Sequence, residues 1–481
     1  MTRARSTRTA VLLLARRVHY LAGMAIAPFV FLLALTGLCY ACAPQLGEAL
    51  YATELFTEVP ADGAALPVDR QVRAALAAHP QDALRQVTVF DDPERTTQVV
   101  LADRALPQGQ GLAVHVNPYT GVLTGDYPTA DGRAPVQTWL GAMHTNLHLG
   151  QAGRLYAEFA VSWLPAVMLF GVLLWALGPK KRRQRLRTKN PKIRIRAWHG
   201  LVGVVVVVGL VVINFSGLTR ALTAGDRVQD ALGTRPAPIT HPAVQPDAAG
   251  PTTLDAIVAA ARADGLTGDL TLTPPRTYDD PFTVAEVSPG LPVRKGVALV
   301  DQYRGTVIGK QTFADYPLLG QLRLLAVAAH HGSLFGVVNQ LLLVCLACGL
   351  VAVLWMGYRM WRQRKPAPAP PRTLAKLPKK VLVPLVVVSG ALGWLLPVFG
   401  VTLVAFLLWD AVGQALRKSQ AAKPQPKRLR SGGGGGGVVV GVVGVSRGRH
   451  LPAGGGVAGR RRVAVGGAAG GASAERERAS V

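Results

Sequence analysis

Uncharged apolar runs alternate along the chain with polar, charge-bearing stretches. Five runs carry no Asp, Glu, Lys or Arg: residues 18–47, 159–179, 197–219, 324–358 and 381–409. A helix rises about 1.5 Å per residue, so roughly 20 residues cross the ~30 Å hydrocarbon core, and each run is long enough. The stretches between the first and second runs and between the third and fourth have the mixed polarity of water-facing domains. The pattern predicts a membrane α-helical bundle with folded segments outside the bilayer.

Composition agrees with this. The 481 residues are 49% hydrophobic and 17% charged, too apolar for an ordinary soluble enzyme and too long for one domain. A net charge of +26 raises nucleic-acid binding, and the placement of the charge argues against it. Lys and Arg concentrate in the N-terminal TRARSTR, in 180–196 and in 359–380, beside apolar runs, and no basic stretch is interleaved with stacking aromatics. Cytoplasmic loops carry the excess of Lys and Arg, so these segments are expected inside. Segments 43–155 and 220–323, which hold most of the acidic residues, are expected outside. The first run exceeds the roughly 7–15-residue apolar core of a cleaved signal and is read as an uncleaved span.

The resulting organisation is a cytoplasmic N-terminus (1–17), span 1 (18–43), an outward domain (44–140), and an outer His segment with span 2 (141–179). A basic cytoplasmic loop (180–196), span 3 (197–219), a second outward domain (220–323), and an outer His segment with span 4 (324–358) follow. The chain closes with a second basic loop (359–380), a C-terminal span or hairpin broken at Pro397 (381–410), and a low-complexity tail (411–481). The basic residues after this last run favour the hairpin, and the Gly-rich composition past Ser431 predicts disorder. Cys39, Cys42, Cys345 and Cys348 form two CxxC pairs in or beside apolar runs, read as small buried hydrophobes rather than a thiol relay.

The chain also repeats itself. His19-x-x-x-Gly23 followed by Thr36-Gly37-Leu38 recurs as His199-x-x-x-Gly203 followed by Ser216-Gly217-Leu218, with 18 residues from His to the second Gly in both. A strand, a Tyr-x-Gly turn (Tyr119, Gly121; Tyr303, Gly305) and a second strand close each outward segment. His144 with Gly150 and His330 with Gly336 come next, each pair six residues apart. Four landmarks in register imply two parallel repeats related by an axis along the membrane normal.

Arg16, His19 and Gly37, the outward Tyr-x-Gly motif, the H…LxLG element around His144 and the HxG element at His330 and Gly332 resemble the PepSY-associated transmembrane family over about residues 10–410. The resemblance implies two extracytoplasmic α+β PepSY domains and a bacterial inner-membrane location. It also implies relatives that are iron-regulated inner-membrane proteins and ferric-siderophore reductases holding two b-type haems. The amphipathic stretches Val68–His79 and Leu254–Gly265 fit the helices of such domains.

Ionisable residues in spans are costly and mark function, and a neutral imidazole is a common ligand for metals and haem iron. Equivalent positions in two axially related copies face each other. His19 is therefore expected to meet His199 near the cytoplasmic face, and His144 to meet His330 near the outer face. Two imidazoles on opposite helices are what a six-coordinate haem requires, so two pairs predict two haems. Zinc, which takes four tetrahedral ligands, is disfavoured by the lack of nearby Asp, Glu or Cys. His148 and His331 are alternates to the outer ligands or hydrogen-bond partners. Arg16, Arg17 and Arg196 are candidates for the haem propionates or plain topology signals. Gly23 and Gly203 either clear space for a macrocycle or pack helices closely. His79, His115, His241 and His450 are expected at the surface.

The leading functional expectation is an oxidoreductase: a di-haem b electron conduit across the membrane that reduces ferric iron, as in a ferric siderophore, on the outer side. The chain has no Gly-rich nucleotide fingerprint after a strand, so a separate quinol or flavoprotein is the expected donor. His19 and Gly37 lie about 27 Å apart along a helix, so the haems are expected deeper than the helix ends. The rival expectation is a non-enzymatic membrane anchor whose PepSY domains bind an envelope partner.

Overall fold

The computed structural model describes residues 2–61, 63–107, 109–178, 182–248, 250–287, 289–363 and 377–421. Among the described residues, four helices are long and apolar enough to cross a membrane: α1 (Thr2–Ala41, the candidate span from Arg8), α6 (Gly150–Ala176), α8 (Pro191–Leu218) and α12 (Val337–Arg362). α1 and α8 each pack against both α6 and α12, which places them at opposite corners of the bundle. Ala22, Ile26 and Val30 of α1 meet Ala160 and Trp163 of α6 in the centre, while Val205, Val208, Leu341 and Leu342 stay exposed. An apolar exterior of this kind is what lipid accommodates.

The first polar segment contains short helices α2 (Ala43–Leu50) and α3 (Ala52–Leu55), helix α4 (Val68–Ala78), strands β1 (Ala83–Val89), β2 (Thr97–Ala102), β3 (Gly111–Val116) and β4 (Leu123–Thr129), and helix α5 (Pro135–Asn146). After α6 and the short α7 (Arg182–Leu186), the second half runs α8, α9 (Gly225–Leu232), α10 (Leu254–Ala263), β5 (Leu270–Thr273), β6 (Phe282–Glu286), β7 (Gly296–Val300), β8 (Val307–Thr312), α11 (Leu318–His330) and α12. The amphipathic stretches and the strand–turn–strand units lie where the polarity pattern put them.

The sequence pattern does not anticipate how the eight strands join. They form one antiparallel sheet in the order β4-β3-β2-β1-β5-β6-β7-β8. β1 pairs with β5 through Val87–Leu272 and Thr88–Thr271, whose buried hydroxyls lie 2.9 Å apart. One apolar core runs under both halves, from Val72, Ala75, Val99 and Val114 to Ile257, Leu270, Val284 and Ala298. Thus two separate cores, as two independent modules would have, are replaced by a shared one.

The Tyr-x-Gly motifs have a common physical basis. The side chain of Asn117 accepts from the backbone N–H groups of Tyr119 and Thr120, and that of Asp301 accepts from Tyr303 and Arg304. Each chain then turns through a glycine with positive φ, 72° at Gly121 and 63° at Gly305, a conformation that a Cβ would strain.

The last apolar run is broken, as its proline predicts. α13 (Lys379–Leu395) ends two residues before Pro397, where α14 (Pro397–Ala421) begins. Leu377 and Val381 pack beside Ala10 and Leu14, Phe399 stacks on Trp163, and Asp410 returns to Arg17. Both outer ends of α13 and α14 thus lie beside the N-terminal half of α1, which makes the pair a hairpin. The four cysteines are free and exposed, a correction to their expected burial: they sit on outer helix surfaces, where a thiol suits an apolar surrounding. The expected tail disorder after Ser431, and most of the second basic loop, fall outside the described residues.

Candidate functional site

Two pairs of imidazoles lie within the helical bundle. His19 on α1 and His199 on α8 have ring centroids 6.2 Å apart with planes at 70°. His144 at the end of α5 and His330 at the end of α11 lie 6.1 Å apart with planes at 86°. The first pair is remote from the sheet, and the second lies at the sheet-proximal ends of α1 and α8.

Each ring is held at the same nitrogen. Nδ1 of His19 donates to the Val167 carbonyl of α6 (2.9 Å), and Nδ1 of His199 donates to the Val353 carbonyl of α12 (3.1 Å). Nδ1 of His144 lies 3.1 Å from the Thr36 hydroxyl, and Nδ1 of His330 lies 2.6 Å from the Ser216 hydroxyl. Those two hydroxyls have already given their protons to carbonyls one turn back, Leu32 (2.7 Å) and Ile213 (2.9 Å). A hydroxyl has one proton to give, and one that donates to its own helix accepts from the imidazole. Nδ1 is thus hydrogen-bonded in all four rings, and in His19 and His199, whose partners are carbonyls, Nδ1 carries the proton and Nε2 keeps its lone pair. Metal-binding histidines show this arrangement, with the far nitrogen tied to a carbonyl or other acceptor.

Small residues make the fit. A Cβ at Gly37 would stand 3.0 Å from His144 Cε1, and one at Gly171 would stand 2.9 Å from His19 Cε1, while Gly357 leaves 3.6 Å to His199. Gly23 and Gly203, singled out from the sequence, touch neither ring: a Cβ at Gly23 meets only Val167 at 3.9 Å, and one at Gly203 meets nothing within 4 Å.

The anchoring residues were partly visible beforehand. Thr36 and Ser216 belong to the repeated TGL and SGL motifs, but nothing in the sequence gave them a partner. Val167 and Gly171 lie 23 and 27 residues after His144, and Val353 and Gly357 lie at the same distances after His330. That correspondence was legible in principle, although an apolar span full of Val and Gly hides it.

The remaining candidates fall elsewhere. His148 turns back on its own segment, with positive φ (57°), Nε2 3.1 Å from the Trp139 carbonyl and its ring against that indole. His331 points its Nε2 to Arg220 at 3.4 Å. Arg17 pairs with Asp410 at 2.8 Å, and Arg16 and Arg196 are exposed. Among the described residues, no group of three or more His, Cys, Asp or Glu is placed to hold a metal.

His115 corrects its expected surface position. It is fully buried in β3, bonded through Nδ1 to Thr96 (3.0 Å) and through Nε2 to the Tyr127 hydroxyl (2.9 Å). Burial pushes its pKa down to about 4 and that of Tyr127 up to about 12. His79 is half-buried with Asp126 at 3.8 Å, His241 is exposed, and His450 lies outside the described residues.

Residues 16–364 match the PepSY-associated TM region. The chain belongs to the PepSY-associated transmembrane family. This membership makes it a membrane protein and covers all four spans and both polar segments. No curated protein matches the chain significantly.

Proposed function

We propose that this family member is a di-haem b transmembrane electron-transfer protein that reduces ferric iron on the side of the bilayer where the sheet lies. The observation that carries the reading is the set of four imidazoles in two pairs, each with Nδ1 hydrogen-bonded and Nε2 left over. A centroid separation of about 6 Å suits two rings whose nitrogens each lie about 2 Å from one metal ion between them. With two nitrogen donors per pair and no metal-holding group of three or more His, Cys, Asp or Glu among the described residues, the donor set would suit a haem iron better than a tetrahedral metal. His19 and His199 would hold one haem, and His144 and His330 the other. When bound, haem supplies a reversible one-electron couple.

The chain's residues do the rest. Val167, Val353, Thr36 and Ser216 orient the rings, and the glycines clear their edges. Helices α1, α6, α8 and α12 pack around one another in the bundle that carries the inner pair. The positive-inside distribution supports a cytoplasmic N-terminus and an inner-membrane location, with the sheet outside, and the matching order of elements supports an internal duplication. One electron converts Fe(III) to Fe(II), which hard oxygen chelators hold more weakly, and a separate quinol or flavoprotein supplies it. A bare anchor for a partner-binding sheet would give the four oriented imidazoles no task.

The test is an absorption spectrum of the purified protein before and after dithionite, with haem quantified by extraction. Reduced b-type bands and two haems per chain are expected, and a colourless preparation would overturn the reading. His19→Ala or His199→Ala should each remove one haem and leave the other. If both variants keep two haems, the assignment of that pair is wrong. Ferric chelates should reoxidise the reduced protein, and failure with every chelate class would remove the ferric-reductase part alone.

A further inference from the structure

Beside the His144 and His330 pair lies a cavity of about 420 Å³ between the start of α6, the end of α8, α9 and α11. Arg154, Arg220 and Arg323 line it, with Gln229 and one carboxylate, Asp226. That carboxylate is engaged by Arg235 at 2.5 Å. Arg323 Nε is buried without a hydrogen-bond partner. Arg220 meets the His331 ring at 3.4 Å. Three guanidiniums thus converge with almost no negative charge to balance them, and one leaves a buried donor unmet. A buried donor left unmet is costly, so a site of this kind is built for something that supplies acceptors.

We infer that this cavity binds a small polycarboxylate anion. Guanidinium forks pair with planar oxyanions two bonds at a time, and three of them suit a ligand carrying several carboxylates. The cavity's position narrows the choice further. Val327 of its wall lies one turn before His330, and Thr219 lies one turn after the Ser216 that holds His330. On the electron-transfer reading above, on which this part rests, the anion is the oxygen shell of the ferric acceptor, docked against the sheet-side pair. Carboxylate shells are among the hard oxygen chelators that carry Fe(III), and their negative charge is what Arg154, Arg220 and Arg323 would recognise. The same oxyanion chemistry could come from a lipid phosphate or from the propionates of a bound haem, so the test must separate these sources.

The experiment is calorimetric titration of the full-length, detergent-purified protein with citrate, ferric citrate and inorganic phosphate, with haem and bound phospholipid quantified in the same sample. Saturable binding of citrate and ferric citrate, with phosphate weaker, is expected. Arg323→Gln should weaken it at least about tenfold, and Arg220→Gln and Arg154→Gln, at exposed positions, should weaken it less, all with haem content unchanged. No citrate binding by a haem-replete protein would overturn the site, as would binding undiminished in Arg323→Gln and Arg220→Gln. Loss of haem in these variants without citrate binding would assign the arginines to propionates, and stoichiometric phospholipid lost in the variants would assign them to lipid; either overturns the proposal. A colourless protein that still binds citrate would keep the anion site and overturn the electron-transfer reading instead.

Discussion

The hydroxyl of Ser216 sits 2.6 Å from Nδ1 of His330 while its own proton goes to the Ile213 carbonyl. A hydroxyl that donates to its own helix is left to accept from the imidazole, and the contact orients the ring. Ser216→Ala should free the ring to rotate and protonate at either nitrogen. Loss of such an orienting partner typically costs about 10- to 100-fold in metal affinity. The sheet-side haem should be lost on dilution or shift its midpoint potential, and Ser216→Thr should restore it. A potentiometric titration of wild type and both variants measures this, and unchanged potentials and retention in Ser216→Ala would refute it.

Gly171 and Gly357 occupy matching places, yet an added Cβ would stand 2.9 Å from His19 at the first and 3.6 Å from His199 at the second. The first distance forces the ring to move and the second is ordinary contact. Gly171→Ala should therefore reduce haem content from two toward one per chain, whereas Gly357→Ala should keep two. Haem extracted per mole of protein distinguishes the outcomes, and equal behaviour of the two variants would contradict this geometry.

His115 should make the sheet sensitive to acid. Its pKa is pushed down by burial to about 4, from an ordinary 6.5. Above pH 6.5 the residue is neutral in both folded and unfolded chains and has no effect. As pH falls from 6.5 to about 4 the unfolded chain takes the proton first, so stability is lost across that window. At about 1.36 kcal/mol per pH unit the loss reaches roughly 3 kcal/mol. Melting of the full-length protein should show a drop in this window that His115→Asn abolishes, even if that variant is less stable at pH 7.

Asp255 crosses between the two halves of the sheet layer. Its carboxylate accepts from the backbone N–H groups of Val68 (2.8 Å) and Asp69 (3.3 Å), capping α4 from the first turn of α10. Burial, and then the Asp255 side chain beside it, raises the Asp69 pKa above its ordinary value. Asp255→Ala should cost about 1 kcal/mol, as removal of a helix cap does. Asp69→Asn, which relieves like-charge repulsion, should raise the melting temperature at pH 7 and lose that advantage as acid protonates Asp69 in the wild type. Chemical denaturation at pH 7 and pH 4 tests both.

The sequence by itself determined which segments are long and apolar enough to cross a bilayer, since only uncharged runs of that length can forgo water, and which four histidines the spacing sets apart from the rest. It determined the turn chemistry at Asn117 and Asp301 and the break at Pro397, because those rules act over a few residues. What only the tertiary structure decided depends on distant partners. Hydroxyl and carbonyl acceptors for the four Nδ1 atoms come from 108 to 154 residues away. The single sheet arises because β1 has an edge that β5 can pair with, a choice no local pattern encodes. His115, polar and titratable, looked like a surface residue until Thr96 and Tyr127 met both its nitrogens, and a hydrogen-bonded ring can be buried where a lone one cannot.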